Sequence, residues 1–333
     1  MTRGSQAPTD LGARLGLALT EQWGRPVTVE DVRRLSGGAS METWAAVAVE
    51  DIDGRTPVIL RRDRRGTPQS SRLEEARLLR LVHDAGVPVP RVLACGPADG
   101  VDTAYLVMEF HEGETIPRKI LRDSAFAPAR EKLVHQVGAA LAAVHRITVH
   151  DVDFLGPVRE PQEQVREMAD VLTLLGCSSP ALELAVRWLL GHLPAAQEPA
   201  LVHGDVRNGN LMVGPEGLRS VLDWELAHRG QPAEDLGWFC VRAWRFGEDD
   251  KPAGGLGSRE DLLSSYAAAG GQPVSLQTLR FWEVFGTLKW GASCLHQVGI
   301  HLRGDARSVE LAAIGRRLAE VEYDLVLLME ETD

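Results

Sequence analysis

Polar residues between positions 201 and 225 have the types and the spacing that phosphoryl transfer requires. Asp205 and Asn210 are five residues apart, and Asp223 follows thirteen residues later. Short apolar runs flank them, which predicts a tight strand–loop–strand unit that holds the three side chains close together. In phosphoryl transfer one carboxylate orients the attacking hydroxyl and accepts its proton, while an amide and a second carboxylate hold Mg²⁺ against the phosphates. The metal would neutralise charge on the departing group.

The spacing of hydrophobic residues along the chain changes from mainly strand-like to mainly helical near residue 110. Before it, short runs rich in β-branched residues predict strands and two helical periods predict helices; the strands are at 27–35, 43–49, 58–61, 91–95 and 104–109, and the helices at 9–23 and 70–85. After it, helical periods dominate, at 129–146, 163–175, 181–193, 260–269, 275–298 and 308–329, interrupted by β structure at 201–223. We therefore predict an α+β chain with a small, mainly antiparallel β lobe at 1–110 and a larger helical lobe at 111–333.

Composition narrows the classes of partner. The chain has 333 residues and a formal net charge of −11, which disfavours binding to nucleic acid or to anionic lipid. The dense basic run at 61–65 is large enough for a local anion site only. Four widely spaced cysteines, a polar start and the lack of any apolar stretch of membrane-spanning length predict a cytoplasmic protein with reduced thiols, with neither a membrane nor a nucleic-acid partner.

The motifs of the chain resemble those of a known family. His203-Gly204-Asp205 followed by Asn210 resembles the catalytic loop of the aminoglycoside phosphotransferase family, small-molecule relatives of the protein kinases. The Leu-Asp-Trp-Glu sequence at 222–225 resembles the metal-binding segment of the branch related to acyl-CoA-dehydrogenase-associated kinases. Further matching segments are at 35–40, 58–62, 74–79, 107–110 and 230–238, so the resemblance covers nearly the whole chain. It implies a protein-kinase-like two-lobed fold.

The resemblance also implies roles for the residues of the catalytic loop. Asp205 corresponds to the catalytic base or hydroxyl orienter, and Asn210 and Asp223 correspond to the metal ligands. His203 is expected to brace the loop by hydrogen bonds. Asp235 is interpreted as a loop anchor or helix cap. The role of Glu225 stays open.

A second set of residues is implied for the nucleotide, ATP or GTP. Gly37, Gly38 and Ser40 lie in the phosphate-covering loop, although no G-x-G-x-x-G or Walker A pattern is present. Arg61 occupies the position of the phosphate-binding lysine, with Glu75 as its ion-pair partner. Met108, Glu109 and His111 lie in the hinge that grips adenine. Neighbouring strand residues face opposite sides, so only one of Arg61 and Arg62 can face the phosphates, and the sequence leaves this choice open.

These observations predict a small-molecule O-phosphotransferase that uses Mg²⁺ and a nucleotide triphosphate. The acceptors considered are an antibiotic or nucleoside-type compound, as in resistance or self-protection, and a hydroxyacyl or other metabolic alcohol. Trp282 and Trp290 are interpreted as core residues rather than as a platform for that acceptor. A nucleotide-binding pseudokinase scaffold is the alternative, favoured only by the arginine at position 61. A protein kinase is disfavoured because no A-P-E sequence follows Asp223. The oligomeric state stays open.

Overall fold

A computed structural model describes residues 8–35, 41–50, 54–63, 72–97, 101 and 103–330 of the chain. The chain divides into two compact units, Met1–Glu112 and Gly113–Asp333. The glycine loop predicted to cover the phosphates, with Gly37, Gly38 and Ser40, lies outside the described residues.

The first unit contains an antiparallel sheet and two described helices longer than a turn. Its elements are α1 (Pro8–Trp23), β1 (Thr28–Arg34), β2 (Met41–Val49), β3 (Arg55–Asp63), α2 (Arg72–Asp84), β4 (Val92–Gly96) and β5 (Tyr105–Glu109). The described strands lie in the order β1-β2-β3-β5-β4, with each neighbouring pair antiparallel. The mixture of a mainly antiparallel sheet and helices agrees with the predicted α+β class.

Alternation along β3 separates the two faces of this sheet. Leu60 is fully buried and packs with Leu15 and Leu19 of α1 in one apolar cluster. The adjacent residue, Arg61, points to the opposite face, where its guanidinium pairs with Glu75 of α2. The period of two in the strand therefore places apolar side chains under α1 and a cation on the other face.

The second unit is mainly helical. Its helices are α3 (Pro117–Arg122), α4 (Ala127–Val144), α5 (Pro161–Leu174), α6 (Pro180–Gly191), α7 (Ala233–Cys240), α8 (Arg259–Ala268), α9 (Leu276–Arg303), α10 (Val309–Gly315) and α11 (Leu318–Glu330). Between α6 and α7 lie the strands β6 (Ala200–Val202), β7 (Leu211–Gly214), β8 (Gly217–Val221) and β9 (His228–Gly230). β6 pairs with β9 and β7 with β8, both antiparallel.

Helix α9 runs through the core of the second unit. Trp282 and Leu288 are buried in a cluster that also contains Leu182 of α6 and Leu325 of α11. α7 packs tightly on α9 at Gly237, because a Cβ there would collide with the side chain and backbone of Trp282. Within the described residues no helix is both long and apolar enough to cross a membrane.

The end of the chain differs from the prediction of one helix at 308–329. The structure has two helices, Val309–Gly315 and Leu318–Glu330. Gly315 lies so close to α9 that an added Cβ would be 2.6 Å from the Val298 side chain. The next two amides, of Arg316 and Arg317, bond to carbonyls three residues back, which tightens the turn and ends the helix. The helical spacing of apolar residues continues across this break, so the sequence pattern did not reveal the break.

Candidate functional site

The loop from β6 to β7 carries the predicted catalytic residues, and a glycine allows its sharp turn. Gly204 has φ of +81°, in the left-handed region. A Cβ at this position would also collide with the carbonyl oxygen of Leu226. Glycine meets both conditions without steric cost, so the chain can reverse between buried His203 and half-buried Asp205.

The carboxylate of Asp235 anchors this turn from the first turn of α7. It accepts hydrogen bonds from the backbone amides of His203, at 2.7 Å, and Gly204, at 2.9 Å. Nε2 of His145 lies 3.1 Å from the same carboxylate. Burial opposes the charge of Asp235, but the hydrogen bond and the charge of His145, with the bonds from the loop, outweigh it and lower the pKa of Asp235. A buried, charged acceptor thus holds the loop by its backbone.

His203 connects the catalytic loop to the segment that carries Asp223. Its Nε2 lies 3.0 Å from the carbonyl oxygen of Leu222, and its Nδ1 accepts the amide of Asp205 at 3.1 Å. This pattern requires a neutral ring protonated on Nε2. Burial lowers the pKa of His203 and favours that neutral form, against the pull of the carboxylates of Asp235 and Asp205. Both ring nitrogens are therefore occupied by backbone groups.

Three side chains donate hydrogen bonds to the carboxylate of Asp205. Asn210 Nδ2 lies 2.7 Å from Oδ2. Arg207 Nε lies 3.1 Å from Oδ1, and Trp238 Nε1 lies 3.0 Å from the same oxygen. Asn210 Nδ2 also lies 2.9 Å from the backbone carbonyl of Asp205. The predicted pair of Asp205 and Asn210 is thus in direct contact.

Hydrogen bonds of the β7–β8 hairpin bring Asp223 beside Asn210. Leu211 pairs with Val221 in the hairpin, and the amide of Leu222 donates to the carbonyl of Asn210 at 2.8 Å. The next residue, Asp223, has φ of +66°, a strained conformation for a residue other than glycine. Such backbone strain occurs often at functional sites, where the surrounding structure enforces it.

The donor atoms of Asn210 and Asp223 fit a hard divalent cation. The amide nitrogen of Asn210 is directed to Asp205, which leaves its carbonyl oxygen and the Asp223 carboxylate as oxygen donors. Across the described part of the chain, no group of three or more His, Cys, Asp and Glu side chains could hold a metal. Mg²⁺ matches a site of this kind, because it commonly takes one or two carboxylates and completes its shell with water and phosphate oxygens.

In the first unit, Arg61 and Arg62 point to opposite faces of the sheet. Arg61 forms an ion pair with Glu75, which also pairs with Arg72. Arg62 instead bonds to Glu42 at 2.8 Å and lies 5.8 Å from the centre of the Trp44 ring. Arg61 is therefore the arginine on the side of α2 and Glu75.

An apolar cavity of about 570 Å³ opens on the same face of the sheet as Arg61. Ala45 and Val47 of β2 line it together with Pro57 of β3, and these residues share the face of Arg61 because they occupy directly opposite or alternating positions. Phe110, which follows β5, also lines the cavity. Most of its lining is apolar, although Asp31 and Arg33 of β1 also line it, and the cavity ends at the segment that the sequence predicts to be the hinge.

The other predicted hinge residues lie around the end of β5. Met108 is buried and pairs with Ile59, so it shares the face of the cavity. The Glu109 carboxylate lies 2.9 Å from Arg91 and 3.7 Å from the ring of His111. The side chain of Glu109 is thus engaged with its own unit.

Sequence reasoning missed Arg207, Trp238 and Lys289 as members of the site. Lys289 of α9 donates to the carbonyl of Gly204 at 3.1 Å, and its Nζ lies 4.7 Å from the centre of the Trp238 ring. Arg207 lies within the catalytic motif itself, where its charge could have suggested contact with Asp205. Trp238 and Lys289 are far away in sequence, so only the packing of α7 against α9 brings them to the loop.

A second cavity, of about 480 Å³, lies in the helical unit. Trp290 lines it and contacts Trp244 edge-on at 4.9 Å between ring centres, and Trp244 contacts Trp238 at 5.2 Å. Trp282 is a core residue as expected, 1% exposed, whereas Trp290 both packs against that core and lines the cavity. A continuous row of indole rings thus leads from this cavity to the Asp205 carboxylate.

Comparison with known proteins places these features in context. The sequence model of the phosphotransferase enzyme family matches residues 31–270. That range includes the predicted catalytic loop, the metal segment and the Arg61–Glu75 pair.

Curated relatives at low identity differ in how much of their own length the match covers. Acyl-CoA dehydrogenase family member 10 of Mus musculus is 27% identical over 296 residues, and the match covers 80% of this chain but 27% of the mouse protein. The chain thus spans about a quarter of the length of that relative. The 4-hydroxytryptamine kinase of Psilocybe cyanescens is 24% identical over 327 residues, which is 85% of this chain and 88% of the kinase.

Solved structures share the fold. A Ralstonia eutropha protein assigned to the aminoglycoside phosphotransferases superposes with a TM-score of 0.75 at 21% identity, covering 96% of this chain and 98% of that one. Spectinomycin phosphotransferase, in complex with ADP and spectinomycin, superposes with a TM-score of 0.61 at 16% identity, covering 95% and 98%. These similarities confirm the predicted kinase-like α+β fold.

Proposed function

The chain belongs to the phosphotransferase enzyme family, and from this premise we propose that it transfers the γ-phosphoryl group of ATP to a hydroxyl group of a small molecule. The observation that carries the proposal is the carboxylate of Asp205, which three side chains hold by hydrogen bonds. One of the three is Asn210, which lies next to the segment that carries Asp223. A fixed carboxylate next to oxygen donors for a cation is the arrangement that phosphoryl transfer needs.

In the proposed reaction Asp205 acts on the acceptor hydroxyl. Its carboxylate accepts the hydroxyl hydrogen and directs the oxygen lone pair at the γ-phosphorus. A bond forms between that oxygen and phosphorus while the bond from phosphorus to the β–γ bridging oxygen breaks. The hydroxyl proton passes to Asp205, and the products are a phosphate ester and ADP. His203 takes no proton in this scheme, because backbone groups engage both its nitrogens.

Asn210 and Asp223 would hold Mg²⁺ through the amide carbonyl oxygen and the carboxylate. When bound, the ion neutralises charge on the phosphate oxygens of the nucleotide. The left-handed backbone of Asp223 and the bond from the Leu222 amide to the Asn210 carbonyl fix the backbone that carries these donors. Such preorganisation lowers the cost of reorganising the site during reaction.

The first unit supplies features suited to the nucleotide. The apolar cavity lined by Ala45, Val47 and Phe110 suits a purine ring, and Arg61 on the same sheet face suits phosphate oxygens. Glu75 orients the guanidinium, which keeps its charge and can contact phosphate through two nitrogens. The ADP bound in the spectinomycin phosphotransferase structure supports a nucleotide ligand for this fold.

We propose that the part of the acceptor remote from its reacting hydroxyl occupies the cavity of the helical unit that Trp290 lines, with the hydroxyl itself at Asp205. Three carboxylates and three arginines line it, and its acids are paired: Arg242 pairs with Asp249 and Asp324, and Arg317 pairs with Glu320. A cavity whose acids are paired, beside an aromatic ring, suits an uncharged or weakly charged alcohol better than a polycation. The similarity to a 4-hydroxytryptamine kinase supports an acceptor with a hydroxyl group on a small apolar frame.

The test is nucleotide consumption, measured by coupled ADP release, across a panel of hydroxyl compounds. The panel spans aminoglycosides, macrolides, nucleosides, hydroxylated aromatic amines and hydroxyacyl esters, with ATP and GTP as donors. One class is expected to stimulate turnover by wild type, and the Asp205→Ala variant is expected to lose it. Binding of MgATP without turnover on any member would favour the nucleotide-binding scaffold. Absence of both binding and turnover with either nucleotide would contradict the proposal.

A further inference from the structure

The hydrogen bonds around Asp205 leave one acceptor position on its carboxylate. An ionised carboxylate offers about four lone-pair positions, two on each oxygen. Arg207 and Trp238 occupy both positions on Oδ1, and Asn210 occupies one on Oδ2. Of the described residues none takes the second position on Oδ2. A substrate hydroxyl would therefore donate to Oδ2, provided that the carboxylate does not rotate.

The two donors to Oδ1 differ in rigidity. Arg207 carries its guanidinium on a long chain whose side chain is 28% exposed. Trp238 is only 5% exposed and is held in α7, with Trp244 against one side of its ring. Lys289 lies over the same ring and ties α9 to Gly204 in the turn that precedes Asp205. The indole N–H is thus the fixed donor, because it is placed by the helical core and not by a side chain of the catalytic loop.

We propose that Trp238 is a positioning residue for Asp205, an inference that rests on the proposed function. Its indole N–H holds Oδ1 and prevents rotation of the carboxylate, so that the remaining lone pair of Oδ2 faces the acceptor hydroxyl. The terminal torsion of aspartate has broad, roughly two-fold preferences, so the orientation requires an external donor. Trp238 acts through Asp205 and does not itself contact the reacting atoms.

The structure offers a matched pair of variants for the test. Trp238→Phe keeps an aromatic ring in α7 and removes the N–H donor to Asp205. Trp282→Phe makes the same change in a ring of the helical core that is 1% exposed, and the Trp282 Nε1 has no hydrogen-bond partner in the described part of the chain. Both variants lose the same atoms from buried positions. Only the first loses a bond to the carboxylate.

The steady-state constants of both variants should be measured with the acceptor identified by the panel. Trp238→Phe is expected to lower kcat by about 10- to 100-fold, because a misplaced catalytic group is costly even at small displacements. The KM for ATP is expected to stay within about twofold. Trp282→Phe is expected to keep kcat within about threefold, with a melting temperature similar to that of Trp238→Phe. Equal losses of kcat in the two variants would overturn the positioning role.

A double-mutant cycle separates this inference from the proposed function. In an Asp205→Asn background, Trp238→Phe is expected to change the residual kcat by less than about twofold, because its effect passes through the carboxylate. A full additional loss would show that Trp238 acts elsewhere. Wild-type activity in Asp205→Ala would instead refute the proposed function, whatever the Trp238 variant does.

A spectroscopic measurement keeps the inference testable even if a variant is inactive. The indole ¹H–¹⁵N resonance of Trp238 is assigned as the one absent from the Trp238→Phe spectrum. In Asp205→Ala this resonance is expected to move upfield in the proton dimension, because the hydrogen bond to Oδ1 is gone, while that of Trp282, assigned from the Trp282→Phe spectrum, stays in place. An unchanged Trp238 resonance would overturn the hydrogen bond and with it the inference.

Discussion

Replacement of Asp235 by asparagine tests how the catalytic loop is held. The carboxylate is fully buried and accepts the amides of His203 and Gly204 and the ring of His145. Asparagine has the same shape but substitutes an NH₂ group for one oxygen. In either orientation of the amide, at least one of these donors then faces another donor.

The cost follows from the count of lost and weakened bonds. A hydrogen bond to a charged group contributes about 1.5 to 3 kcal/mol, and one to a neutral group about 1 kcal/mol. Asp235→Asn loses one charge-assisted bond and weakens two others, so we expect the free energy of unfolding to fall by about 3 to 5 kcal/mol. We also expect kcat to fall at least about tenfold, because His203 and Gly204 no longer fix the start of the loop.

Urea denaturation and steady-state kinetics measure these two effects. Asp250→Asn is the matched control, because Asp250 is an exposed aspartate of the same unit and its replacement should change stability by less than about 0.5 kcal/mol. The reasoning would be refuted if Asp235→Asn matched Asp250→Asn in both unfolding free energy and kcat. If stability fell but kcat did not change, the hydrogen bonds of Asp235 would stand, and only its role in anchoring the catalytic loop would be refuted.

Further predictions concern the core, the pH dependence and the nucleotide. Glu283→Gln should lower the free energy of unfolding by about 3 kcal/mol in urea, because its carboxylate is 1% exposed and pairs with buried Arg245 and half-buried Arg259. Burial opposes protonation of His228, but the charge and hydrogen bond of Glu234 outweigh it and raise the pKa of His228. The stabilisation that protonated His228 gains from Glu234 is therefore complete below about pH 6.5, and it is lost as the pH rises through the folded-state pKa of His228. The stability advantage of wild type over His228→Gln should shrink as the pH rises above about 6.5, by about 1.4 kcal/mol for each unit of the shift; a constant difference would contradict it. Arg61→Ala should raise the KM for ATP more than about tenfold, whereas Arg62→Ala should leave it within about twofold; equal effects would contradict the two-face arrangement.

Much of the fold and the family could be predicted because their evidence is local in sequence. The resemblance carried by His203, Asp205 and Asn210 is confirmed by the match of the phosphotransferase enzyme family to residues 31–270. Hydrophobic alternation predicted the strands around Arg61, and it also separated the two arginines by face. Alternation alone could not show whether Arg61 or Arg62 faces α2. Either face of the strand could meet that helix until the packing of the helix is known.

The partners of Asp205 could not be predicted because they depend on packing between distant elements. Trp238 reaches the carboxylate only because Gly237 lets α7 approach α9 closely. The spacing of apolar residues predicts which face of a helix is buried. It does not predict that the indole nitrogen of Trp238 will contact the carboxylate of Asp205, 33 residues away. The break after Gly315 was hidden for a similar reason, since Gly315 packs closely against Val298 of α9, a contact between elements that the spacing of apolar residues does not reveal.

The most direct test of the central claim is the phosphorylation of the acceptor itself, followed by mass spectrometry in a single turnover. Wild type with MgATP is expected to convert the acceptor hydroxyl to a phosphate ester in step with ADP formation. Asp205→Ala is expected to bind MgATP with unchanged affinity and to form no ester on that timescale. Ester formation at the wild-type rate by Asp205→Ala, or ADP release by wild type without any ester, would contradict the account.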